Sequence, residues 1–127
     1  MPDDVDILIA DDDLNILMAL GYAFDEEGFS HVSARNGSEA LDMLRLHRPR
    51  VAVLDVMFPE PDGYRVCREI RSDPDLENTH VVFLSALGQE HEVTEGYRSG
   101  ADEYFTKPFS MLELIEHLKG VLGRGDG

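Results

Sequence analysis

Residues 51–63 read Val51-Ala52-Val53-Leu54-Asp55-Val56-Met57-Phe58-Pro59-Glu60-Pro61-Asp62-Gly63. This segment is an apolar run that ends in one carboxylate, Asp55, and then passes into a turn. A short run of branched apolar residues bounded by turn formers is typical of a strand buried on both faces, as in parallel sheets. The run therefore predicts a central strand with Asp55 at its carboxyl end. In open α/β sheets that end faces the crevice where ligands bind, so Asp55 is available for chemistry.

Length and composition indicate one folded domain. The chain has 127 residues, enough for one hydrophobic core and too few for two, and 43% of them are hydrophobic. The net charge of −15 disfavours direct binding to nucleic acid, whose phosphates are bound mainly by basic side chains, and to an anionic membrane surface. The same acidity fits adaptation to high salt or simple solubility, and composition does not choose between them.

The single cysteine, Cys67, excludes an internal disulfide and fits a reducing compartment. We expect it to pack beside Val66 and Ile70 in a helix. No segment reaches the roughly 18 consecutive apolar residues of a membrane span, and residues 1–4 lack the basic region of a secretory signal. The sequence therefore predicts a cytoplasmic protein that does not contact a membrane.

Hydrophobic periodicity and capping residues divide the chain into five strands that alternate with five helices. The strands are predicted at 5–10, 29–34, 51–55, 80–84 and 101–106. The helices are predicted at about 14–27, 37–48, 64–71, 89–99 and 111–122. Strands that alternate with helices through short loops require a parallel sheet with helices on both faces, so the predicted fold class is α/β.

Two of these segments and the domain boundary carry additional expectations. The strand at 29–34 is short and partly polar, which is typical of a sheet edge. The helix at 89–99 has few apolar positions and an interior glycine, which costs about 1 kcal/mol relative to alanine, so we expect this helix to be mobile. Residues 1–122 are predicted to form the domain, and residues 123–127 a tail or a truncated linker.

Chemically active side chains follow four of the predicted strands. Asp11 and Asp12 follow the first, Asp55 the third, Ser85 the fourth and Lys107 the fifth. Taken singly each has an ordinary explanation, because an aspartate at a strand end is commonly a helix cap and a lysine is commonly solvated. Taken together, crowded carboxylates repel one another and need a cation, and hard oxygen ligands suit Mg²⁺. A lysine and a hydroxyl beside them suit an anion such as a phosphoryl group.

The chain resembles the response-regulator receiver domain, the phospho-accepting half of a two-component system. The resemblance extends from about Val5 to Leu122 and rests on four motifs in the order of the family. These are Ile7-Leu8-Ile9-Ala10-Asp11-Asp12-Asp13, then Leu54-Asp55-Val56-Met57 with Pro59 and Asp62-Gly63, then Leu84-Ser85-Ala86, then Gly100-Ala101 with Tyr104-Phe105-Thr106-Lys107-Pro108-Phe109. It implies a flavodoxin-like, five-stranded parallel sheet in the order 2-1-3-4-5.

The resemblance also implies roles for the acidic residues. Asp55 is expected to be the phosphoacceptor. Asp12 is expected to bind Mg²⁺ directly, Asp11 through water, and Met57 through its backbone carbonyl only. Met57 and Leu87 are expected to flank the path of the water that hydrolyses the acyl phosphate.

Three further roles follow from the same resemblance. Ser85 is expected to hydrogen-bond the phosphoryl group and Lys107 to pair with it. Tyr104 is expected to be an aromatic switch that turns inward as Ser85 moves. The Lys107–Pro108 peptide bond is expected to be cis.

The implied function is a signal switch. A histidine kinase or a phosphotransfer protein would donate its phosphoryl group to Asp55, and the surface of the fourth helix, fifth strand and fifth helix would change. The domain is expected to catalyse only its own phosphorylation and dephosphorylation. An output domain or a separate protein target fits equally well. A phosphorylation-dependent homodimer stays open, although residues 113–119 lack the arginines through which one large subfamily dimerises.

Three rival interpretations fit less well. A haloacid-dehalogenase phosphatase requires Asp-x-Asp-x-Thr after the first strand, and here Asp11 and Asp13 are followed by Asn15. A calcium-binding loop starting at Asp11 would have Ile16 in place of its glycine and Tyr22 in place of its bidentate glutamate. A receiver-like module that only binds proteins would not need the complete acidic set.

Overall fold

A computed structural model describes residues 5–123. Five strands alternate with five helices, as predicted. The elements are β1 (Ile7–Ala10), α1 (Leu14–Glu26), β2 (His31–Ala34), α2 (Gly37–His47), β3 (Val51–Leu54), α3 (Gly63–Ser72), β4 (His80–Ser85), α4 (Glu90–Arg98), β5 (Glu103–Thr106) and α5 (Met111–Leu122). The predicted tail falls almost wholly outside the described residues, which end at Gly123.

All strand pairs are parallel, and the strand order is β2-β1-β3-β4-β5. The order implied by the resemblance is therefore confirmed, and so is the edge position of β2. In register, Ala10 lies beside Leu54, and Ser85 lies beside Thr106. The residues that follow these strand ends, including Asp11, Asp55 and Lys107, therefore meet at one edge of the sheet.

The five helices divide between the two faces of the sheet, with α1 and α5 on one face and α2, α3 and α4 on the other. Alternate strand residues such as Leu8, Leu54 and Phe83 pack with residues of α2 and α3, and Cys67 is buried in that layer as expected. The intervening residues, such as Ile9 and Val53, pack with α1 and α5. Since every residue of β1 and β3 is buried, these strands require continuous apolar sequence rather than alternation.

Local hydrogen bonds fix where the helices begin. A capping side chain accepts a backbone N–H two or three residues later at Asp13, Asn36, Asp62 and Ser110. Such caps satisfy amide groups that have no partner within the helix. The start of α4 was not predicted to be capped, yet the Gln89 amide donates to Glu92 Oε1 at 3.0 Å. None of the described helices is long and apolar enough to cross a membrane.

Candidate functional site

Three aspartates converge at the carboxyl edge of the sheet. One carboxylate oxygen from each of Asp11, Asp12 and Asp55 lies within 4.8 Å of the others. Asp11 and Asp55 are buried, with 2% and 7% of their surface exposed, whereas Asp12 is exposed. The strands hold the buried pair in place, because the Asp11 amide donates to the Ala34 carbonyl and the Asp55 amide to the Ala10 carbonyl.

Lys107 reaches this cluster from the end of β5. Its Nζ lies 3.0 Å from Asp11 Oδ2 and 3.4 Å from Asp55 Oδ2. The Lys107 amide donates to the Ser85 carbonyl at 2.8 Å, and the Lys107–Pro108 peptide bond is cis, as expected. Burial by itself lowers the pKa of the lysine, but the hydrogen bond to Asp11 and the charge of Asp55 raise it overall. The ammonium is therefore charged at neutral pH.

One ammonium does not balance three carboxylates. Burial raises the pKa of Asp11, the hydrogen bonds from the Asp13 amide and Lys107 lower it, and the charge of Asp55 raises it again. The net shift is upward, so ionising this carboxyl costs free energy in the site as it stands. A small divalent cation with a preference for oxygen ligands would relieve that cost, and three converging carboxylates fit it. The residues present therefore fit Mg²⁺.

Ser85 and Tyr104 meet at the loop between β4 and α4. Ser85 is fully buried, and its hydroxyl accepts the Leu87 amide at 3.1 Å. The Tyr104 hydroxyl donates to the carbonyl of the same Leu87. The tyrosine ring packs on Phe83 with ring centroids 5.8 Å apart, so the side chain lies inward and half-buried. One residue of the loop thus contacts both predicted switch residues.

Two glycines permit close approaches around the site. A Cβ at Gly63 would lie 2.3 Å from the Asp55 carbonyl oxygen, so only glycine lets α3 begin against the backbone of the acid. A Cβ at Gly96 would lie 2.7 Å from Tyr104 Cδ2. The interior glycine that weakens α4 by propensity therefore makes room for the inward tyrosine. The peptide bond between Glu60 and Pro61, near Gly63, is also cis and was not predicted to be.

Sequence reasoning missed Tyr64. Its hydroxyl donates to the Glu92 carbonyl in α4 at 2.9 Å, and its ring packs edge-on against Phe83. Burial, with the nearby Tyr104, raises the pKa of Tyr64 to about 12, so the hydroxyl remains a donor. The sequence does show an aromatic residue directly after Asp62-Gly63. Neither hydrophobic periodicity nor capping rules, however, predict its contact with a residue 28 positions away.

An open cavity of about 490 Å³ lies beside the acids. It is lined by Asp12, Val56, Met57, Phe58, Pro59, Asp62, Tyr64 and Leu87. The side chain of Met57 is 60% exposed there, and the Met57 amide lies 3.3 Å from Asp55 Oδ1. The structure thus brings Met57 and Leu87, the two residues expected to flank the water path, to one cavity next to the cluster.

Known proteins resemble this chain over nearly its whole length. The family model described as the response regulator receiver domain matches residues 7–119. The chain is 40% identical over 120 residues to "Probable transcriptional regulator ycf27" of Porphyra purpurea, an alignment covering 94% of this chain and 48% of that relative. It is 39% identical over 120 residues to "Response regulator MprA" of Mycobacterium bovis, covering 94% of this chain and 51% of that relative.

A solved structure gives the same result for the fold. The receiver domain of a Francisella response regulator is 36% identical and superposes with a TM-score of 0.86, covering 95% of this chain and 98% of that one. The chain spans about half the length of the curated relatives it matches.

Proposed function

The chain belongs to the response regulator receiver domain family, and on that premise we propose that Asp55 accepts a phosphoryl group from a histidine kinase or a phosphotransfer protein. The convergence of Asp11, Asp12, Asp55 and Lys107 at one sheet edge carries this proposal. The Asp55 carboxylate can act as the nucleophile, and the Lys107 ammonium beside it can bind the anionic phosphoryl group.

In the transfer step, an Asp55 oxygen bonds to phosphorus while the phosphorus–nitrogen bond of the donor phosphohistidine breaks. The bonding electron pair stays on the donor imidazole. Mg²⁺ bound by Asp12, Asp55 and the Met57 carbonyl, and by Asp11 through water, would supply positive charge that offsets the carboxylates and the transferred group. Lys107 already lies 3.4 Å from Asp55 and would pair with a phosphoryl oxygen there.

The proposed output is a change in the α4, β5 and α5 surface. The Ser85 hydroxyl accepts the Leu87 amide and still has its own proton to donate to a phosphoryl oxygen. The Tyr104 hydroxyl donates a hydrogen bond to the carbonyl of the same Leu87, which lies in the loop between β4 and α4. A shift of this loop toward the phosphoryl group would therefore move Tyr104 and α4 together. A contact made only in the phosphorylated form biases the domain toward one of two arrangements.

Residues 1–122 would form the domain, which would catalyse only its own phosphorylation and dephosphorylation in the cytoplasm, and residues 123–127 would be a tail or a truncated linker. The greater length of relatives named as transcriptional regulators supports an output domain or target elsewhere. The net charge of −15 supports a receiver that does not itself bind nucleic acid. A homodimer formed on phosphorylation remains part of the proposal.

Intact-mass measurement after incubation with a small-molecule phosphodonor and Mg²⁺ tests the proposal. We expect one added phosphoryl group on the wild type and none on Asp55→Asn, because the amide lacks the nucleophilic oxygen. Asp42→Asn, an exposed acid on α2, is the matched control and should be modified like the wild type. Equal modification of Asp55→Asn would exclude Asp55 as the acceptor.

A further inference from the structure

Two histidines face each other near the opposite, amino end of the sheet. His80 begins β4 and His117 lies on α5, and their Nε2 atoms are 2.9 Å apart. The ring centroids are 5.0 Å apart with an interplanar angle of 39°, and both residues are partly exposed. Ser85 follows His80 by five residues on the same strand, so at ~3.3 Å per residue the pair is about 16 Å from the phosphorylation edge.

The surroundings orient this pair. Asp102 Oδ2 lies 3.6 Å from Nδ1 of His80 and is itself fixed by the Arg71 guanidinium and the Val81 amide. A carboxylate on that side favours a proton on Nδ1, which leaves the Nε2 lone pair of His80 directed at His117. Phe105 packs edge-on against the ring of His117. Both imidazoles are therefore held close together, with their Nε2 atoms facing each other.

We propose that His80 and His117 form a second cation site that binds a late first-row transition metal such as Zn²⁺ or Ni²⁺ through their two Nε2 atoms. The proton shared between these two atoms would leave on binding, either to Nδ1 of His117 or to solvent. Histidine nitrogens bind zinc at about 2.0–2.1 Å, so two ligands at a right angle are about 2.9 Å apart and two at the tetrahedral angle about 3.4 Å apart. The observed distance between the two nitrogens matches the first case, and the second requires the nitrogens to part by only about 0.5 Å. In both cases the rings have to turn so that the two lone pairs point at one ion.

The chemistry of this site differs from that of the aspartates. Imidazole nitrogen favours zinc, nickel and copper, whereas Mg²⁺ prefers oxygen. Within residues 5–123, only the aspartate cluster brings together three ligand atoms from histidine, cysteine or acidic side chains. The histidines would therefore supply two ligands and water the others, so the metal would exchange readily. The net charge of −15 raises the local concentration of divalent cations.

The site would tie the start of β4 to α5. Since α5 belongs to the surface proposed to change on phosphorylation, metal binding would favour one of its arrangements. This regulatory consequence rests on the proposed function. Metal binding itself does not, and it can be measured on the unphosphorylated domain.

Calorimetric titration with Zn²⁺ in excess Mg²⁺, together with thermal melts, tests the site. We expect one zinc equivalent and a higher melting temperature in the wild type. His80→Gln and His117→Gln should each weaken zinc binding on the order of tenfold or more. Even the loss of a residue that only hydrogen-bonds a metal ligand weakens metal affinity by that much. The control is His91→Gln, an exposed histidine on α4, which should bind zinc like the wild type. Unchanged zinc affinity in His117→Gln would overturn the proposal.

A second measurement needs no substitution and so does not depend on any variant folding. Imidazole ¹⁵N spectra of the wild type should show zinc shifting the Nε2 resonances of His80 and His117. The resonances of His31, His47 and His91 should stay in place. If zinc shifts none of the His80 and His117 resonances, the pair is only a structural hydrogen bond and the proposal is wrong, whatever happens at Asp55.

Discussion

Among individual side chains, Lys107 explains how three acids can share one edge of the sheet. Its ammonium contacts Asp11 and Asp55, while the exposed Asp12 is stabilised mainly by solvent. A buried carboxylate that loses hydration needs a hydrogen bond or a counter-ion. The cluster thus holds more negative charge than Lys107 offsets. This excess of negative charge favours the binding of a cation and destabilises the folded domain when no cation is bound.

Removing Asp12 tests this balance of charge. We expect Asp12→Ala to unfold at a higher denaturant concentration than the wild type when Mg²⁺ is absent, because one charge leaves a repelling cluster. Its Mg²⁺ affinity should fall on the order of tenfold or more, because charged oxygen ligands set the affinity for such cations. Denaturant melts with and without Mg²⁺ measure both effects, with Asp42→Ala as the control. A metal-free variant less stable than the wild type would contradict the repulsion argument.

The lifetime of the acyl phosphate is predicted to depend on Met57 and Leu87. Both are apolar and line the cavity beside the acids, so neither orients a water molecule or takes its proton. A positioned base or water-orienting group contributes on the order of 10² in rate, so hydrolysis of phospho-Asp55 should be slow. Met57→Asn or Leu87→Glu should shorten the lifetime, as measured by phosphate release.

Met18→Asn controls for the change in surface polarity, because Met18 is 69% exposed on α1. It should release phosphate at the wild-type rate. The same rate in Met57→Asn and Leu87→Glu would mean that these side chains pack against the loop without controlling the water.

Among the helices, α4 is held by its neighbours more than by its own sequence. Gly96 is its only buried residue. The Tyr64 hydroxyl donates a hydrogen bond to the backbone near the start of α4, and the Tyr104 hydroxyl donates one to the preceding loop. Glu95 of α4 forms an ion pair with Arg68 of α3. Hydrogen bonds and ion pairs at the surface can break and re-form readily, which suits a helix that has to move. The predicted mobility of α4 stays a prediction.

Two glycine substitutions separate helix propensity from packing. Gly120→Ala in α5 should stabilise the domain by about 0.5–1 kcal/mol, because a Cβ there meets nothing within 4 Å. Gly96→Ala should destabilise it by about 1–3 kcal/mol, because the new methyl group overlaps the Tyr104 ring. Chemical denaturation measures both. Equal stabilisation by the two would show that Tyr104 is free to move aside.

The domain as a whole carries its excess charge on a small surface. With a net charge of −15 on 127 residues, the folded state holds like charges closer together than the unfolded chain does. This self-repulsion opposes folding and is weakened by salt. The effect of the acidic composition on stability can therefore be measured through its dependence on salt concentration.

Raising a chloride salt from about 0.01 to 0.15 M shortens the Debye length from about 30 to 8 Å. We therefore expect the melting temperature to rise by a few degrees over this range in the absence of Mg²⁺, which corresponds to about 1 kcal/mol. Most of the rise should come at the low end, where screening changes fastest. A melting temperature that falls with salt would mean that local ion pairs such as Arg71 with Asp102 outweigh the net repulsion.

The order of the elements, the parallel sheet and the meeting of Asp11, Asp55, Ser85 and Lys107 at one edge could all be predicted from the amino-acid sequence. These features depend on short-range signals. An apolar run defines a strand, a capping side chain starts a helix two or three residues away, and parallel strands bring their carboxyl ends together whatever their side chains. The starts of the strands were predicted less well, since β1, β2 and β5 each begin two residues later than expected.

Which distant side chains meet could not be predicted and is known only from the packing of the helices against the sheet. Tyr64 reaches α4, Gly96 makes room for Tyr104, and His80 faces His117 across 37 residues. Each pairing depends on the distance and rotation between packed elements, which no local pattern encodes. A shift of about 1 Å between α5 and the sheet would break the histidine contact without changing a strand or a cap, because hydrogen bonds weaken steeply with distance whereas apolar burial is nearly non-directional.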